Sequence, residues 1–200
     1  MINVIGIINQ IFFSNSYIVY DDVNKSEAIM IDCGDLDKVL KMKKKYNTNI
    51  KCVFITHSHY DHIYGLNNLL CVYPNVEIFA SERGTKGLYN TKDNLSIYFE
   101  NPFIYSGQNC RVLVNDQKCN PIPKVLVDAK YTPGHDASSM ILAINSEYLF
   151  TGDSYLPNNK TITSLPGGDK VNEKKSKQII ESMIPNYKYI YPGHGNILEL

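Results

Sequence analysis

One short run of residues constrains the fold of this chain more than any other feature. The run, residues 56–62 (THSHYDH), directly follows the letters CVFI, which predict a short strand buried in the middle of a sheet. Alternate side chains of an extended segment share a face, so His57 and His59 can point to one centre. Asp61 and His62 come where the chain turns into the next predicted helix, and they can reach a second, adjacent centre.

The two remaining histidines share one sequence context. His135 and His194 each follow Pro-Gly directly after a predicted strand, and such a turn holds the backbone in a fixed bend. Asp153 also follows a predicted strand and adds a carboxylate. Imidazoles and carboxylates without a thiolate suit Zn²⁺, Fe²⁺ or Mn²⁺, and an open site of this kind keeps room for water. The candidate metal ligands are therefore His57, His59, Asp61, His62, His135, Asp153 and His194.

Each part of this pattern is weak when it is taken alone. A single His-x-His pair is more often a surface or core feature, Pro-Gly-His is a common turn, and a lone aspartate after a strand often caps a helix. The parts gain weight because they occur together, in this order, and use all five histidines of the chain. The pattern favours a site for two divalent ions, which at a separation of about 3.5–4 Å can share one hydroxide.

Apolar periodicity predicts strands followed by helices in both halves of the chain. Each half has strands, then a metal-type motif at a strand end, then a helix, which suits two sheets packed face to face with helices outside. We expect Asp35 to cap the first helix and Pro74 to end the second. No linker or repeat interrupts the chain, which predicts one domain over residues 1–200. The predicted strands are 6–13, 17–20, 28–31, 52–55, 76–80, 125–127, 140–144, 148–150 and 189–191, with a turn at 14–16, and the predicted helices centre on 36–46, 63–70 and 179–184.

Composition bears on the partners and the location of the protein. Twenty basic and twenty acidic residues balance, so no global charge favours nucleic acid or a membrane surface as a partner. The five cysteines are odd in number, which favours a reduced, intracellular protein, and Cys52 and Cys71 are expected in the core. The N-terminus is a poor signal peptide, and no stretch approaches the roughly 20 apolar residues of a membrane-spanning helix. We therefore expect a soluble, cytoplasmic protein that acts on a small molecule, with its oligomeric state open.

The motifs together resemble those of the metallo-β-lactamase superfamily. The matching pieces are residues 56–65, 132–135, 151–153 and 192–195, and Asp32-Cys33-Gly34 is similar to an early turn that supports the site in that family. The resemblance spans nearly the whole chain, in order. It implies an α/β fold in the form of a four-layer αβ/βα sandwich, with the metals at one edge.

The resemblance also implies a role for each candidate ligand. The cofactors would be two divalent metal ions, Zn²⁺ first, with Fe²⁺ and Mn²⁺ also suitable. A hydroxide that bridges the two ions would attack an electrophilic carbon or phosphorus. In this arrangement His57, His59 and His135 bind the first metal, Asp61, His62 and His194 bind the second, Asp153 bridges both, and the catalytic residues are His57, His59, Asp61, His135 and Asp153.

Within the superfamily, residues 165–169 (LPGGD) look like the glyoxalase II-type branch, whose members hydrolyse thioesters such as S-lactoylglutathione. Two features depart from that branch. Residues 159–164 replace its usual Gly-Arg-Thr-Asp segment, and the chain stops at Leu200, without the C-terminal helical domain that holds glutathione. The carboxylate of Asp153, where many β-lactam-hydrolysing relatives carry cysteine, argues against a β-lactamase. The absence of a large insert before His194 argues against an RNA-processing nuclease.

The main prediction is a metal-dependent hydrolase of a small thioester, ester or lactone. One alternative is a mononuclear iron enzyme that resembles the persulfide dioxygenases, with iron on His57, His135 and Asp153. Another is a non-catalytic metal-binding module. The aromatic segment 89–105 and the loop 155–169 are the candidate substrate contacts, because the resemblance puts such loops near the metals.

Overall fold

The computed structural model describes residues 1–200 and contains two six-stranded sheets that pack against each other. In the first sheet, the first three strands pair antiparallel and the last four pair parallel. Its strands, in both chain and sheet order, are β1 (Ile2–Ile8), β2 (Asn15–Asp21), β3 (Glu27–Ile31), β4 (Asn49–Phe54), β5 (Glu77–Ala80) and β6 (Cys110–Val112).

The second sheet is an antiparallel meander that is extended by two strands from the C-terminal part of the chain. The fifth strand joins the fourth in parallel, and the sixth is a short antiparallel edge strand. The strands are β7 (Gln117–Ile122), β8 (Val125–Tyr131), β9 (Met140–Ile144), β10 (Tyr148–Gly152), β11 (Tyr189–Pro192) and β12 (Leu198–Glu199).

Helices cover the outer faces of both sheets. The α-helices are α1 (Asp37–Tyr46), α2 (Tyr60–Ile63), α3 (Leu66–Val72), α4 (Glu82–Gly87) and α5 (Lys170–Met183), and 3₁₀ turns occur at Ser96–Tyr98 and Ile184–Asn186. None of these helices is long and apolar enough to span a lipid bilayer.

Alternation of side chains places the central strands of each sheet between two apolar layers. In β2, Tyr17 and Val19 face the core between the sheets, whereas Ile18 packs against the layer of α1, α2 and α3. In β9, Leu142 faces the same inter-sheet core and Ile141 faces α5. These central strands are therefore apolar on both faces, and the expected four-layer αβ/βα sandwich is confirmed.

The first turn of the structure differs from the prediction. Strand β1 ends at Ile8, and residues 9–14 form the turn, whereas the sequence pattern extended the strand to Phe13. Phe12 and Phe13 adopt positive φ angles of 53° and 55°, which are incompatible with a β-strand, and both side chains are largely exposed. The small polar residues 14–16, expected in the turn, are buried instead. The Asn9 side chain provides hydrogen-bond partners for two of them, because it donates to Ser14 Oγ and to Ser16 Oγ.

Three other expectations from the sequence were wrong: a helix cap, the extent of one helix and the burial of one cysteine. Asp35 does not cap α1; its carboxylate accepts from Gln10 N and from the Tyr64 hydroxyl. The second helix is two helices, α2 and α3, which meet at Gly65, where a β-carbon would lie 1.9 Å from the carbonyl oxygen of Gly34. Cys71 is exposed, whereas Cys52 is buried as expected.

Candidate metal centre

All seven candidate ligands lie at one edge of the sandwich, because each follows a strand that ends there. The 56–62 run follows β4, and Asp153 follows β10. His135 lies in the turn after β8, and His194 in the turn after β11. The two sheets are joined at this edge by a hydrogen bond from Met140 N to Thr56 O. Residues that are far apart in the sequence are thereby brought into one cluster.

The ligand atoms form two groups that meet at Asp153. Nitrogen atoms of His57, His59 and His135 lie within 4.8 Å of one another, and so do single ligand atoms of Asp61, His62 and His194. A third set at the same spacing joins His57, His62 and Asp153 across the two groups. Asp153 Oδ2 lies 3.4 Å from His135 Nε2 and 3.4 Å from His194 Nε2. The arrangement is two adjacent groups of possible ligands with one carboxylate between them.

Hydrogen bonds behind the imidazole rings fix which nitrogen faces the cluster. His62 Nδ1 donates to Asp32 Oδ2 over 2.9 Å, and His135 Nδ1 donates to the Ile162 carbonyl over 2.7 Å. His57 Nδ1 lies 3.1 Å from the Thr56 hydroxyl, whose own proton goes to Asp32. In each ring the opposite nitrogen faces inward, the orientation that a metal ligand requires.

The cluster contains atoms that no protein group satisfies. His57 Nε2 and Asp153 Oδ1 are fully buried and have no hydrogen-bond partner. His59 Nδ1 and His135 Nε2 lie 2.9 Å apart, which brings two acceptor lone pairs together unless a proton or a cation lies between them. Buried polar atoms are almost always paired, so these positions fit a site for divalent cations.

Electrostatics within the cluster divides the histidines into two kinds. Burial holds the pKa of His57 well below its usual value, and the neighbouring imidazoles lower it further. Burial acts in the same direction on His62 and His194, but the carboxylates of Asp61 and Asp153 outweigh it and raise their pKa values to about 9 and about 10. Burial would raise the pKa of Asp153, yet the adjacent histidines hold it well below its usual value. The two carboxylates therefore stay ionised and require positive charge beside them.

One residue near the cluster was not anticipated from the sequence. Asp136 is buried, accepts from Ser138 N, and brings Oδ2 within 3.6 Å of His59 Nε2, on the side of the ring away from the other ligands. It directly follows His135 in the chain, and an acidic residue beside a ligand was the available signal. Its carboxylate lies beside His59 Nε2, which is buried and makes no hydrogen bond within the protein.

A cavity of about 600 Å³ opens onto the cluster and is called the site cavity. Five of the ligands, His59, Asp61, His135, Asp153 and His194, form its polar floor. Both segments expected near the site contribute to its lining, and Phe12, from the first turn, was not anticipated. The apolar lining residues are Phe12, Tyr60, Leu95, Phe99, Leu156, Ile162 and Leu165, and the polar ones beyond the floor are Asn159 and Lys160.

Comparison with known proteins gives both a family match and close structural neighbours. The family model described as the metallo-beta-lactamase superfamily matches residues 10–194. A hydroxyacylglutathione hydrolase from Buchnera aphidicola subsp. Baizongia pistaciae is 35% identical, over 96% of this chain and 74% of that protein. The probable polyketide biosynthesis zinc-dependent hydrolase PksB from Bacillus subtilis (strain 168) is 28% identical, over 90% and 72% of the two chains. The crystal structure of the B3 metallo-beta-lactamase BLEG-1 superimposes with a TM-score of 0.86 at 22% identity and covers 98% of this chain and 94% of its own.

Proposed function

This chain belongs to the metallo-β-lactamase superfamily, and from that membership we propose that it is a binuclear metal-dependent hydrolase of small thioesters, esters or lactones, with thioesters preferred. In this proposal His57, His59 and His135 hold one ion, and Asp61, His62 and His194 hold the other, with Asp153 between them. The observation that carries it is the pairing of two complete ligand groups around a shared carboxylate, at the base of a cavity large enough for a substrate.

Divalent ions held by these residues would supply Lewis acidity, which lowers the pKa of water and polarises a carbonyl group. The protein supplies position. Asp32 holds the His62 ring, and the Ile162 carbonyl holds the His135 ring, so that the inward nitrogens keep their direction when substrate arrives. The apolar residues that line the site cavity exclude bulk water from the reacting carbonyl and strengthen the electrostatic interactions at its floor.

The relatives support the choice of reaction and metal. One is a hydroxyacylglutathione hydrolase at 35% identity, and hydroxyacylglutathione is a thioester. Another is described as zinc-dependent, which favours Zn²⁺ first. The second ligand group, in which His194 Nε2 lies 3.2 Å from Asp61 Oδ2, supports two ions rather than a single iron.

The test begins with the metal content of protein purified without added metal, followed by assays on a thioester, a lactone and a phosphodiester. We expect about two ions per chain and hydrolysis of the thioester, with at least a hundredfold loss in the double variant His57→Ala, Asp61→Ala. A double variant at exposed positions, Asp22→Ala and Asn75→Ala, is the control and should retain activity. One iron per chain with oxygen uptake on glutathione persulfide, or full activity in the ligand variant, would contradict the proposal.

A further inference from the structure

A second, more open cavity of about 500 Å³ adjoins the site cavity. The two cavities share Leu156, Asn159 and Lys160, so a ligand can extend from one into the other without leaving the surface of the loop 155–169. We call this second cavity the lysine cavity, because its lining includes Lys160, Lys170, Lys174 and Lys177.

The lysine cavity carries positive charge that the protein leaves largely unpaired. Lys160, Lys170 and Lys174 have no carboxylate within ion-pair distance, and Lys177 reaches Glu181 only at 3.9 Å. Glu173 is the single acidic residue in the lining. The chain as a whole has equal numbers of basic and acidic residues, so this concentration of cations is local. A cavity lined with several positive charges attracts anionic groups.

The site cavity has the opposite character. Beyond the metal-ligand floor, its lining is apolar except for Asn159 and Lys160, and Lys160, its one lysine, lies at the junction with the lysine cavity. The Phe99 ring lies 4.5 Å from the Tyr60 ring and 5.9 Å from the Phe12 ring, which makes an aromatic surface. Such a surface gains free energy by covering an apolar group of a substrate, at about 25 cal/mol per Å² of area buried.

From this juxtaposition we infer that the substrate is a thioester with an apolar acyl group and a phosphorylated thiol. The acyl group lies in the site cavity, and the phosphates of the thiol lie against Lys160, Lys170 and Lys174. Lysine is a compact point charge that suits phosphate. Several lysines spread over a cavity bind a ligand with several negative charges better than a ligand with a single carboxylate. Phosphopantetheine and coenzyme A are thiols of this chemistry. The inference rests on the proposed function, because it names the substrate class of the same site.

The reaction is a simple hydrolysis that needs no further reactant. The oxygen of water forms a bond to the acyl carbon, and the bond from that carbon to sulfur breaks. The electron pair of the broken bond leaves on sulfur, which takes up one proton of the water. The products are the free thiol and a carboxylate, with the second proton released to solvent.

Binding is tested first, on the metal-loaded protein, with two thioethers that cannot be hydrolysed: S-octyl-coenzyme A and S-octyl-pantetheine. We expect the phosphorylated thioether to bind at least tenfold more tightly, and this advantage to shrink as salt is added. The double variant Lys170→Gln, Lys174→Gln should weaken binding of the coenzyme A thioether by roughly three- to tenfold and leave the pantetheine thioether unaffected. Lys41→Gln, Lys44→Gln, at exposed positions on α1, is the matched control and should bind both thioethers as the unmodified protein does.

Kinetics then identify the source of the phosphate. Octanoyl-coenzyme A, octanoyl-pantetheine, acetyl-coenzyme A and an octanoyl group on the phosphopantetheine of an acidic carrier protein are compared. A lower KM for either phosphorylated octanoyl thioester than for octanoyl-pantetheine supports the inference, and the better of the two identifies the carrier. Acetyl-coenzyme A should be the weaker coenzyme A substrate.

The two proposals fail in different ways. Equal binding of the two thioethers, unchanged by the lysine variant, would overturn the inference while thioester hydrolysis could persist. Tight, lysine-dependent binding of S-octyl-coenzyme A without hydrolysis of any thioester by the metal-loaded protein would overturn the proposed function instead.

Discussion

The buried side chain of Asp32 sets the direction of one candidate ligand. Its carboxylate accepts hydrogen bonds from Thr56 N and the Thr56 hydroxyl, both at 2.8 Å, and from His62 Nδ1 at 2.9 Å. The backbone of Asp32 has a φ of 56°, an uncommon conformation that aspartate tolerates better than most residues. One carboxylate thus ties the end of β3 to the start of the ligand run and holds the His62 ring from behind.

Replacement of Asp32 by asparagine is expected to weaken metal binding by about 10- to 100-fold. Asparagine has nearly the same shape, but its amide nitrogen is a hydrogen-bond donor. It would face one of the groups that donate to the Asp32 carboxylate, so that hydrogen bond would be lost. The His62 ring then loses its fixed direction, or Thr56 loses its partner. Titration of the chelator-treated protein with Zn²⁺ measures the affinity, and circular dichroism checks the fold.

The control for this change is Asp35→Asn. Asp35 is also an aspartate that accepts two hydrogen bonds, from Gln10 N and the Tyr64 hydroxyl, but it contacts none of the seven candidate ligands. Its replacement should leave the Zn²⁺ affinity unchanged. Equal affinities in the Asp32 and Asp35 variants would refute the positioning role.

Helix α5 illustrates how an element is determined partly by its own sequence and partly by the sheet beneath it. Asp169 begins the helix and accepts from Val171 N and Asn172 N, as a sequence pattern can indicate. Which face is buried depends on packing: Ile180 is fully buried against the second sheet, whereas the adjacent Ile179 is 42% exposed.

These two isoleucines form a matched pair for a stability measurement. Ile180→Ala removes buried methyl groups and leaves a cavity against the sheet, so it should lower the free energy of unfolding by about 2–5 kcal/mol. Ile179→Ala changes the same atoms at a half-exposed position and should cost roughly 1 kcal/mol or less. Urea denaturation followed by circular dichroism measures both. Similar losses in the two variants would mean that α5 does not pack as described.

At the scale of the whole molecule, the two sheets are tied together at both ends. At the ligand edge, Asn15 N donates to Gly193 O over 2.6 Å. At the opposite end of β2, the carboxylate of Asp21 accepts from Lys124 Nζ over 2.8 Å, and Lys124 lies in the turn between β7 and β8. The Lys124 ammonium, with further hydrogen bonds, holds the pKa of Asp21 below its usual value.

The contribution of this ion pair to stability depends on pH in a definite direction. Because the pKa of Asp21 is lower in the folded chain, the stabilisation is present above the usual carboxyl pKa and is lost as the pH falls through the folded value. Lys124→Met should therefore lower the melting temperature by a few degrees at most at pH 7, and the difference should shrink as the pH falls below the usual carboxyl pKa.

The comparison for this prediction is Lys118→Met. Lys118 pairs with Asp128 at 3.3 Å on the same sheet, but its loss breaks no link between the sheets. Thermal unfolding of both variants at several pH values measures the difference. A Lys124→Met effect that persists unchanged at low pH would contradict the role given to Asp21.

The sequence by itself determined the fold class and the candidate ligands. The seven ligands lie in short motifs directly after apolar strands, and strands that are apolar on both faces must be buried side by side, which brings their ends to one edge. The assignment of individual ligands to two metals, and the limits of the domain, stay predictions.

Only the tertiary structure decided what surrounds the ligands. Phe12 lines the site cavity because an unusual turn projects it there, and the Ile162 carbonyl orients His135 across 27 positions of sequence. Edge strands such as β6 and β12 are too short and too exposed to show a period of their own, and they form because a neighbouring strand offers hydrogen bonds. The two joined cavities are assembled from segments far apart in the chain, so their contrast in polarity exists only after folding. A ligand motif is local in sequence, whereas the cavity that selects a substrate is made by long-range packing.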